Sequence, residues 1–228
     1  MKSLKRSKDI KVANSLTASN NVRIGNSIGL PSGKAYSCPG ATSICEKICY
    51  AGRLERMRPS VRDVMMHNWE LLKDADLNTI EGLLVDMLID FEKECDKWEA
   101  PKAFRIHWDG DFFNDVYTQA WANTIKRFPD IRFWSYTRVP AAAAVFNELK
   151  LSNLAIYFSA DLENINIARE SGLPIAMLAD TFEEAKSYLP RAAMCPEQRK
   201  QIPMAGACIA CNICVKGKVD MTFSITKR

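Results

Sequence analysis

Seven of the eight cysteines in this 228-residue chain fall into two groups whose spacing suits metal chemistry. Cys38, Cys45 and Cys49 lie within twelve residues, in the stretch SCPGATSICEKICYAGR from 37 to 53, and Tyr50 directly follows the last thiol. Cys208, Cys211 and Cys214 form a C-x2-C-x2-C run, with Cys195 thirteen residues upstream. Three thiolates can hold three irons of a cubane [4Fe-4S] cluster and leave the fourth iron open for chemistry, whereas four close such a cluster. A four-cysteine zinc site competes at the second group, and a zinc site completed by His107 or His67 competes at the first. Three thiols in seven residues suit the spread corners of a cubane better than one ion. Cys95 stands apart: it continues the apolar stripe Ile80, Leu83, Leu84, Met87, Leu88 and Phe91, and reads as a core filler.

The elements that must position these groups are legible from residue 59 onward. Pro59-Ser60 opens a helix reaching about Leu72, and Asn78-Thr79 caps a second one carrying the Cys95 stripe. From Ala103 the chain alternates strands (104–108, 131–137, 154–160, 173–178) with helices (116–128, 140–149, a short one through Ala168, 182–188). With a short strand near Ile28 and a last one at 219–225 the strand count is six. Repeated β-α units with apolar, β-branched or aromatic strands imply a parallel sheet with helices outside it, here an α/β fold read as a partial (β/α)6 barrel. Three regions follow: an irregular, partly mobile N-terminal arm over 1–26, the barrel core over 27–192, and a cysteine-rich C-terminal segment over 193–228 packed on that core.

Polar residues collect where these strands end. Asp109, Gly110 and Asp111 follow one strand, Arg138 the next, and Ser159 with Asp161 the one after; Asp180 follows the fourth. In parallel α/β folds this edge is where sites form, because loops and helix N-termini converge there. Asp and Ser before helices also serve as plain N-caps, and Asp180 fits either role. His107 alternates with Arg105 along its strand and is the better site wall of the two histidines.

Composition sets the frame. Hydrophobic residues make up 47% and charged residues 25%, and no apolar run of eighteen exists, so no membrane-spanning helix is expected. The basic opening MKSLKRSKDIKVANS lacks the apolar core of a secretion signal. A cytoplasmic location is therefore expected, and with it reduced thiols that bind metal rather than form disulfides. The formal net charge of +4 reads as two solvated basic tails, with contact to nucleic acid as the alternative.

In combination, CPGATSICEKICYA, FRIHWDGDFF, RFWSYTR and the final CP followed by CxxCxxC resemble the phage gene-product-88-like family, over nearly the whole span from Ile28 to Cys214. A looser resemblance is to radical S-adenosylmethionine (SAM) enzymes. That likeness implies a partial barrel, an open cluster on Cys38, Cys45 and Cys49 with Tyr50 as its aromatic neighbour, and Asp109-Gly110-Asp111 in place of the motif that binds the SAM amine. It also implies Ser159 and Asp161 near the ribose, Arg138 on a carboxylate, and an auxiliary cluster on Cys195, Cys208, Cys211 and Cys214. The spacing here is C-x6-C-x3-C where those enzymes usually have C-x3-C-x2-C. An electron donor, and a nucleotide or nucleic-acid substrate in the host of a phage, belong to the same reading.

Two alternatives remain at this stage. Asp109, Asp111, Asp161 and Asp180 with His107 could form a divalent-metal site for a hydrolase or nuclease, with both cysteine groups structural. Alternatively, an iron-sulfur protein could bind nucleic acid without catalysis, through its basic tails and Trp108, Phe112, Phe113, Trp134 and Tyr136.

Overall fold

The computed structural model describes residues 3–226, which form one sheet, its helices and a C-terminal wrap. The eight strands are β1 (Arg6–Ser7), β2 (Ser27–Gly29), β3 (Ala103–Asp109), β4 (Arg132–Thr137), β5 (Leu154–Ala160), β6 (Ile175–Ala179), β7 (Ala193–Met194) and β8 (Met221–Ser224). Their order is β1-β2-β3-β4-β5-β6-β8-β7, with β1 antiparallel and all other pairings parallel. The six strands read from the sequence are the consecutive block from β2 to β8; the two-residue edges β1 and β7 carry no periodicity to read. The sheet ends at those two edges and is not closed: the expected α/β class is observed, as one eight-stranded mixed sheet.

Consecutive parallel strands with crossovers of one hand put the connecting helices on one face. These are α4 (Leu77–Lys97), α5 (Asp115–Arg127), α6 (Pro140–Leu149), α7 (Ile165–Glu170) and α8 (Phe182–Tyr188). Under them lie Phe104, Ile106, Phe133 and Ile156 in one cluster and Phe158, Ala160, Ile175 and Met177 in another. Cys95 is buried in the first of these, as its helical spacing implied. The cap of α4 is Asp76, whose carboxylate accepts from Thr79 N at 2.8 Å, two residues before the expected Asn78.

The opposite face is buried as well. Trp134, Ala155, Tyr157 and Ala176, one residue out of phase with the helix-facing set, pack against Val12, Val215 and Met221 and against Cys195, Cys208 and Cys214. Burial on both faces is why these strands read as continuous apolar runs rather than alternating ones. The cysteine-rich segment is thus a lid on the face that the helices leave bare.

The N-terminal arm is largely irregular but anchored. β1 pairs with β2, and a 3-10 turn at Ile10–Val12 buries Val12. Buried Asn68, on α3 (Pro59–Leu72), accepts from Lys5 N at 2.8 Å and donates to Lys5 O at 2.9 Å and Gly29 O at 3.1 Å. One amide side chain therefore ties the arm to the edge of the sheet. No helix among the described residues is long and apolar enough to cross a membrane.

Candidate functional site: two cysteine groups on one sheet

The thiol loop lies on the carboxyl ends of the strands because two glycines let it. A Cβ at Gly40 would sit 2.4 Å from the Arg138 carbonyl oxygen, and one at Gly110 would sit 2.6 Å from Ser37 Oγ and 2.8 Å from Leu30 Cβ. Gly110 also has φ +92°, a conformation that side chains disfavour. The cysteine loop and the Asp-Gly-Asp turn can approach only where side chains are absent. Within the loop, two short helices form, α1 (Ser43–Ile48) and α2 (Tyr50–Met57). Thr42 caps α1 by accepting from Cys45 N at 3.0 Å, and Cys49 caps α2 through its sulfur, which accepts from Gly52 N at 3.3 Å. Cys49 is the hinge between the two helices.

The strand that delivers the aspartates is bulged. Ser27 pairs with Arg105 but Gly29 pairs with Asp109, so β3 spends four residues where β2 spends two, and His107 takes φ +61° inside that stretch. A bulge re-aims the side chains beyond it. His107 itself turns into the packed interior, with Nε2 2.9 Å from the Tyr117 hydroxyl and its ring against Phe112. Burial, then the Arg105 charge, pushes its pKa down to about 3, so its ring is neutral. The expected role of His107 as a site wall or zinc ligand is corrected: it is a packing residue under the site.

Asp109 and Asp111 do reach the loop, in different states. Asp111 accepts from Phe112 N at 2.7 Å and Arg138 N at 2.8 Å; burial lifts its pKa to about 6, and those bonds restrain the rise. Asp109 accepts from its own neighbour, Gly110 N, at 2.9 Å; no described N–H or hydroxyl reaches its buried Oδ2, and its side chain shares a hydrogen bond with the Glu55 carboxyl. Burial first, then the nearby Glu55 carboxyl, pushes its pKa up to about 9, so this acid is protonated at neutral pH. Glu55, on α2, accepts from Ser32 N at 3.0 Å.

Arg138 is anchored on one side. Its Nη1 donates to Asp161 Oδ2 at 2.7 Å and approaches Thr42 Oγ1 at 3.4 Å, while Thr42 also donates to Asp161. Ser43 N in turn donates to Glu163 at 3.0 Å. Asp161 therefore acts as an anchor for α1 rather than as a free ribose-binding group. The Ser159 hydroxyl has no hydrogen bond to the loop among the described residues. Asp180 is exposed at a strand end further along the sheet, and among the described residues no three Asp, Glu or His side chains are grouped for a metal ion.

The thiols of the first group lie among these acids. Burial raises the pKa of all three; Asp111 and Asp109 add to the rise at Cys38, Cys49 and Asp161 at Cys45, and Asp109 at Cys49, while the Arg138 charge lowers Cys45. A cation seated here would reverse that balance, because a coordinating metal deprotonates its thiols.

The second group is assembled on the other face of the sheet. Cys195 extends β7, its N–H donating to Thr222 O at 3.1 Å. Cys208 and Cys211 share the one-turn helix α9 (Ala207–Cys211), and Cys214 sits on α10 (Ile213–Lys216). Gly206, Asn212 and Gly217, all with positive φ, bracket these two turns and fold the run back on itself. Burial pushes Cys208 to about 12 and Cys214 to about 11; each feels the charge of Cys195, and Cys214 also that of Cys211. Cys195, Cys208 and Cys211 are thus each within electrostatic reach of Cys214. Among the described residues, no three His, Cys, Asp or Glu side chains are grouped as the donors of a single metal ion.

Between the groups lies a set of residues of which the sequence singled out Tyr50 and Tyr136 but assigned no site role to Asp9, Lys11, Arg105 or Glu197. The Arg105 guanidinium pairs with Asp9 at 3.1 Å and sits 5.5 Å from the centre of the Tyr136 ring, and Tyr136 hydrogen-bonds Cys214. Lys11 pairs with Glu197 at 2.7 Å and feels both Cys195 and Tyr50. Tyr50 donates to Trp108 O at 2.9 Å yet keeps 57% of its surface exposed. The aromatics expected to form a nucleic-acid platform do not: Phe112 and Trp134 are buried, and Trp108, Phe113 and Tyr136 are partly buried.

An open α/β sheet with a thiol loop at its strand ends and a four-cysteine lid on one face defines the class of this protein. The chain belongs to the Gene product 88 family, whose profile matches residues 2–217. It is similar to the Gene 88 protein of Mycobacterium phage D29, at 50% identity, and to that of Mycobacterium phage L5, at 48%, in both cases over the full length of both chains. The comparisons bear out this resemblance and lend no support to the one with radical SAM enzymes. No solved structure matches the chain.

Proposed function

We propose that this protein is an iron-sulfur enzyme in which Cys38, Cys45 and Cys49 hold an open [4Fe-4S] cluster and Cys195, Cys208, Cys211 and Cys214 a closed one. The observation that carries this reading is the meeting, at the carboxyl edge of a parallel sheet, of three partly buried free thiols with the buried carboxyl of Asp109. The donor types fit: each group is all-sulfur, and within each, thiols perturb one another's titration. The consecutive parallel order of β2 to β8 is also that of a partial barrel.

When bound, an open cluster with SAM supplies one-electron cleavage of the sulfonium, and an external electron donor is required. The chain's own residues would bind, orient and shield. Asp109, with Glu55 beside it, offers a carboxyl pair that a cationic group such as the SAM ammonium would draw into its ionised form. Asp111, held by two backbone N–H groups, fixes the turn that presents it. Arg138 gives one nitrogen to Asp161, and its remaining guanidinium nitrogens are available to a carboxylate. Tyr50 walls the loop on the side of the second group, and Gly110 admits the close approach that a side chain would block.

Anaerobic purification followed by iron and sulfide counting tests the clusters. Roughly eight irons per chain are expected, falling to roughly four in Cys49→Ser or Cys211→Ser and unchanged in Cys95→Ala. Zinc without sulfide would sink the reading. Formation of 5′-deoxyadenosine on adding reductant and SAM tests the chemistry; an intact open cluster that yields none rejects the SAM assignment.

A further inference from the structure

We propose that the arginine strip on α2 and the start of α3 is a binding surface for single-stranded nucleic acid, running up to the exposed ring of Tyr50. This goes beyond the iron-sulfur reading and does not rest on it.

Between residues 47 and 62 the chain carries five cations, Lys47, Arg53, Arg56, Arg58 and Arg62, and one carboxylate, Glu55. That surplus equals the formal net charge of the whole chain, +4. Glu55 is turned inward to Ser32 and Asp109, so it does not neutralise the strip. The five cations are all exposed, and none of the four arginines forms an ion pair or side-chain hydrogen bond with a described residue. Elsewhere Arg6, Lys11, Lys73, Lys93, Lys102, Arg105 and Arg138 have carboxylate partners, while other described cations such as Lys97, Lys126 and Arg127 have none. What sets the strip apart is the density of its cations together with their lack of partners. The basic tails expected to contact nucleic acid are in part consumed this way, whereas the strip is left unneutralised.

The strip also has a direction. Tyr50 opens α2 immediately after Cys49, its hydroxyl fixed on Trp108 O and 57% of the residue's surface exposed. A held, exposed aromatic at the end of an unpaired arginine track matches what a single strand needs: phosphates on the cations, a base on the ring. Duplex bases are already stacked on one another and gain nothing from such a ring. The occupant is therefore a single strand, with a base brought to the edge of the thiol loop.

Fluorescence anisotropy with a labelled single-stranded oligonucleotide of about 12 nucleotides, as DNA and as RNA, over a salt series tests this. Four guanidinium contacts predict that the combined variant Arg53→Gln, Arg56→Gln, Arg58→Gln, Arg62→Gln flattens the plot of log affinity against log salt by about 3, and each pair of substitutions by about half that. Tyr50→Leu should weaken binding about 5- to 100-fold with the slope unchanged. A control with Lys93, Lys97, Lys126 and Arg127 all changed to Gln, on exposed ends of α4 and α5, should bind nearly as the parent does. Circular dichroism identifies any variant that misfolds, and the paired substitutions then carry the test. Binding of either sugar supports the proposal. Absence of binding at low salt, equal losses in the strip and control variants, or duplex bound as tightly as single strand would each overturn it. Because the readout needs no metal, a chain that binds single strands but holds no iron refutes only the iron-sulfur reading.

Discussion

Arg138 Nη1 meets Asp161 Oδ2 at 2.7 Å, and the carboxylate it meets is completely buried. The same carboxylate accepts from Thr42, the cap of the helix that carries Cys45, so the pair holds the thiol loop as well as the sheet edge. Replacing Arg138 with Met leaves Asp161 buried without its counter-charge and should destabilise the fold by about 3–5 kcal/mol. Replacing both, Arg138→Met with Asp161→Leu, should recover much of that loss in denaturant unfolding while Cys45, without the Arg138 charge that lowers its pKa more than Asp161 raises it, becomes less reactive to alkylation than in the parent. A double variant no more stable than the single one would show that the pair is not the anchor.

His107 supplies a pH dependence on the acid side. Its folded pKa, pushed down to about 3 by burial, lies below the unfolded value near 6.5, so the unfolded chain takes up a proton first as pH falls. Stability from this residue is full above about pH 6.5 and is lost on the way down to about pH 3, reaching on the order of 3 kcal/mol by pH 4. His107→Gln removes this slope. Unfolding free energies at pH 7 and pH 4.5 for parent and variant check it; parallel curves would contradict the assignment.

The positions that sequence made legible are those whose signal is local. Strands β3 to β6 read well because both faces of the sheet are covered, which makes each strand a continuous apolar run bounded by Asp, Pro or Gly. The thiols and the Asp-Gly-Asp turn were visible as residue types and spacing, and the structure brings Asp109, Asp111 and Arg138 to the loop. What stayed hidden depends on contacts across long separations. Glu55 matters only because α2 lays it beside Asp109, and no period in the sequence links the two. The bulge at His107 reversed a simple alternation and sent that side chain into the core. Helices α1 and α2, six and eight residues long, are too short for periodicity to declare.

Gly40 and Gly82 should respond oppositely to the same substitution. A methyl at Gly40 collides with the Arg138 backbone, whereas one at Gly82, on exposed α4, meets nothing within 4 Å. Gly40→Ala should therefore destabilise by about 1–3 kcal/mol, since backbone must move to make room. Gly82→Ala should stabilise by about 1 kcal/mol through helix propensity alone. Thermal unfolding resolves the two, at roughly 2–4 °C per kcal/mol for a chain of this size. A neutral Gly40→Ala would mean that the loop does not rest on the strand ends.

The Asp109 and Glu55 carboxyls lie together beneath the thiol loop, and their charges compete. The Asp109 pKa, pushed up to about 9, stands above the unfolded value near 3.9, so the folded chain holds a proton that the unfolded chain releases. In metal-free protein, stability is highest below about pH 4 as far as this group is concerned, and is lost progressively as pH rises toward 9. The cost is about 4 kcal/mol at pH 7. Asp109→Asn mimics the protonated form and should stabilise the metal-free chain at pH 8 while leaving it nearly unchanged at pH 4. Glu55→Gln removes the neighbouring charge, lowers the Asp109 pKa and should recover only part of that gain. Urea unfolding at the two pH values measures all three proteins. If Asp109→Asn proves no more stable than the parent at pH 8, the carboxyl is ionised in the folded state and a cation or a donor must already face its Oδ2.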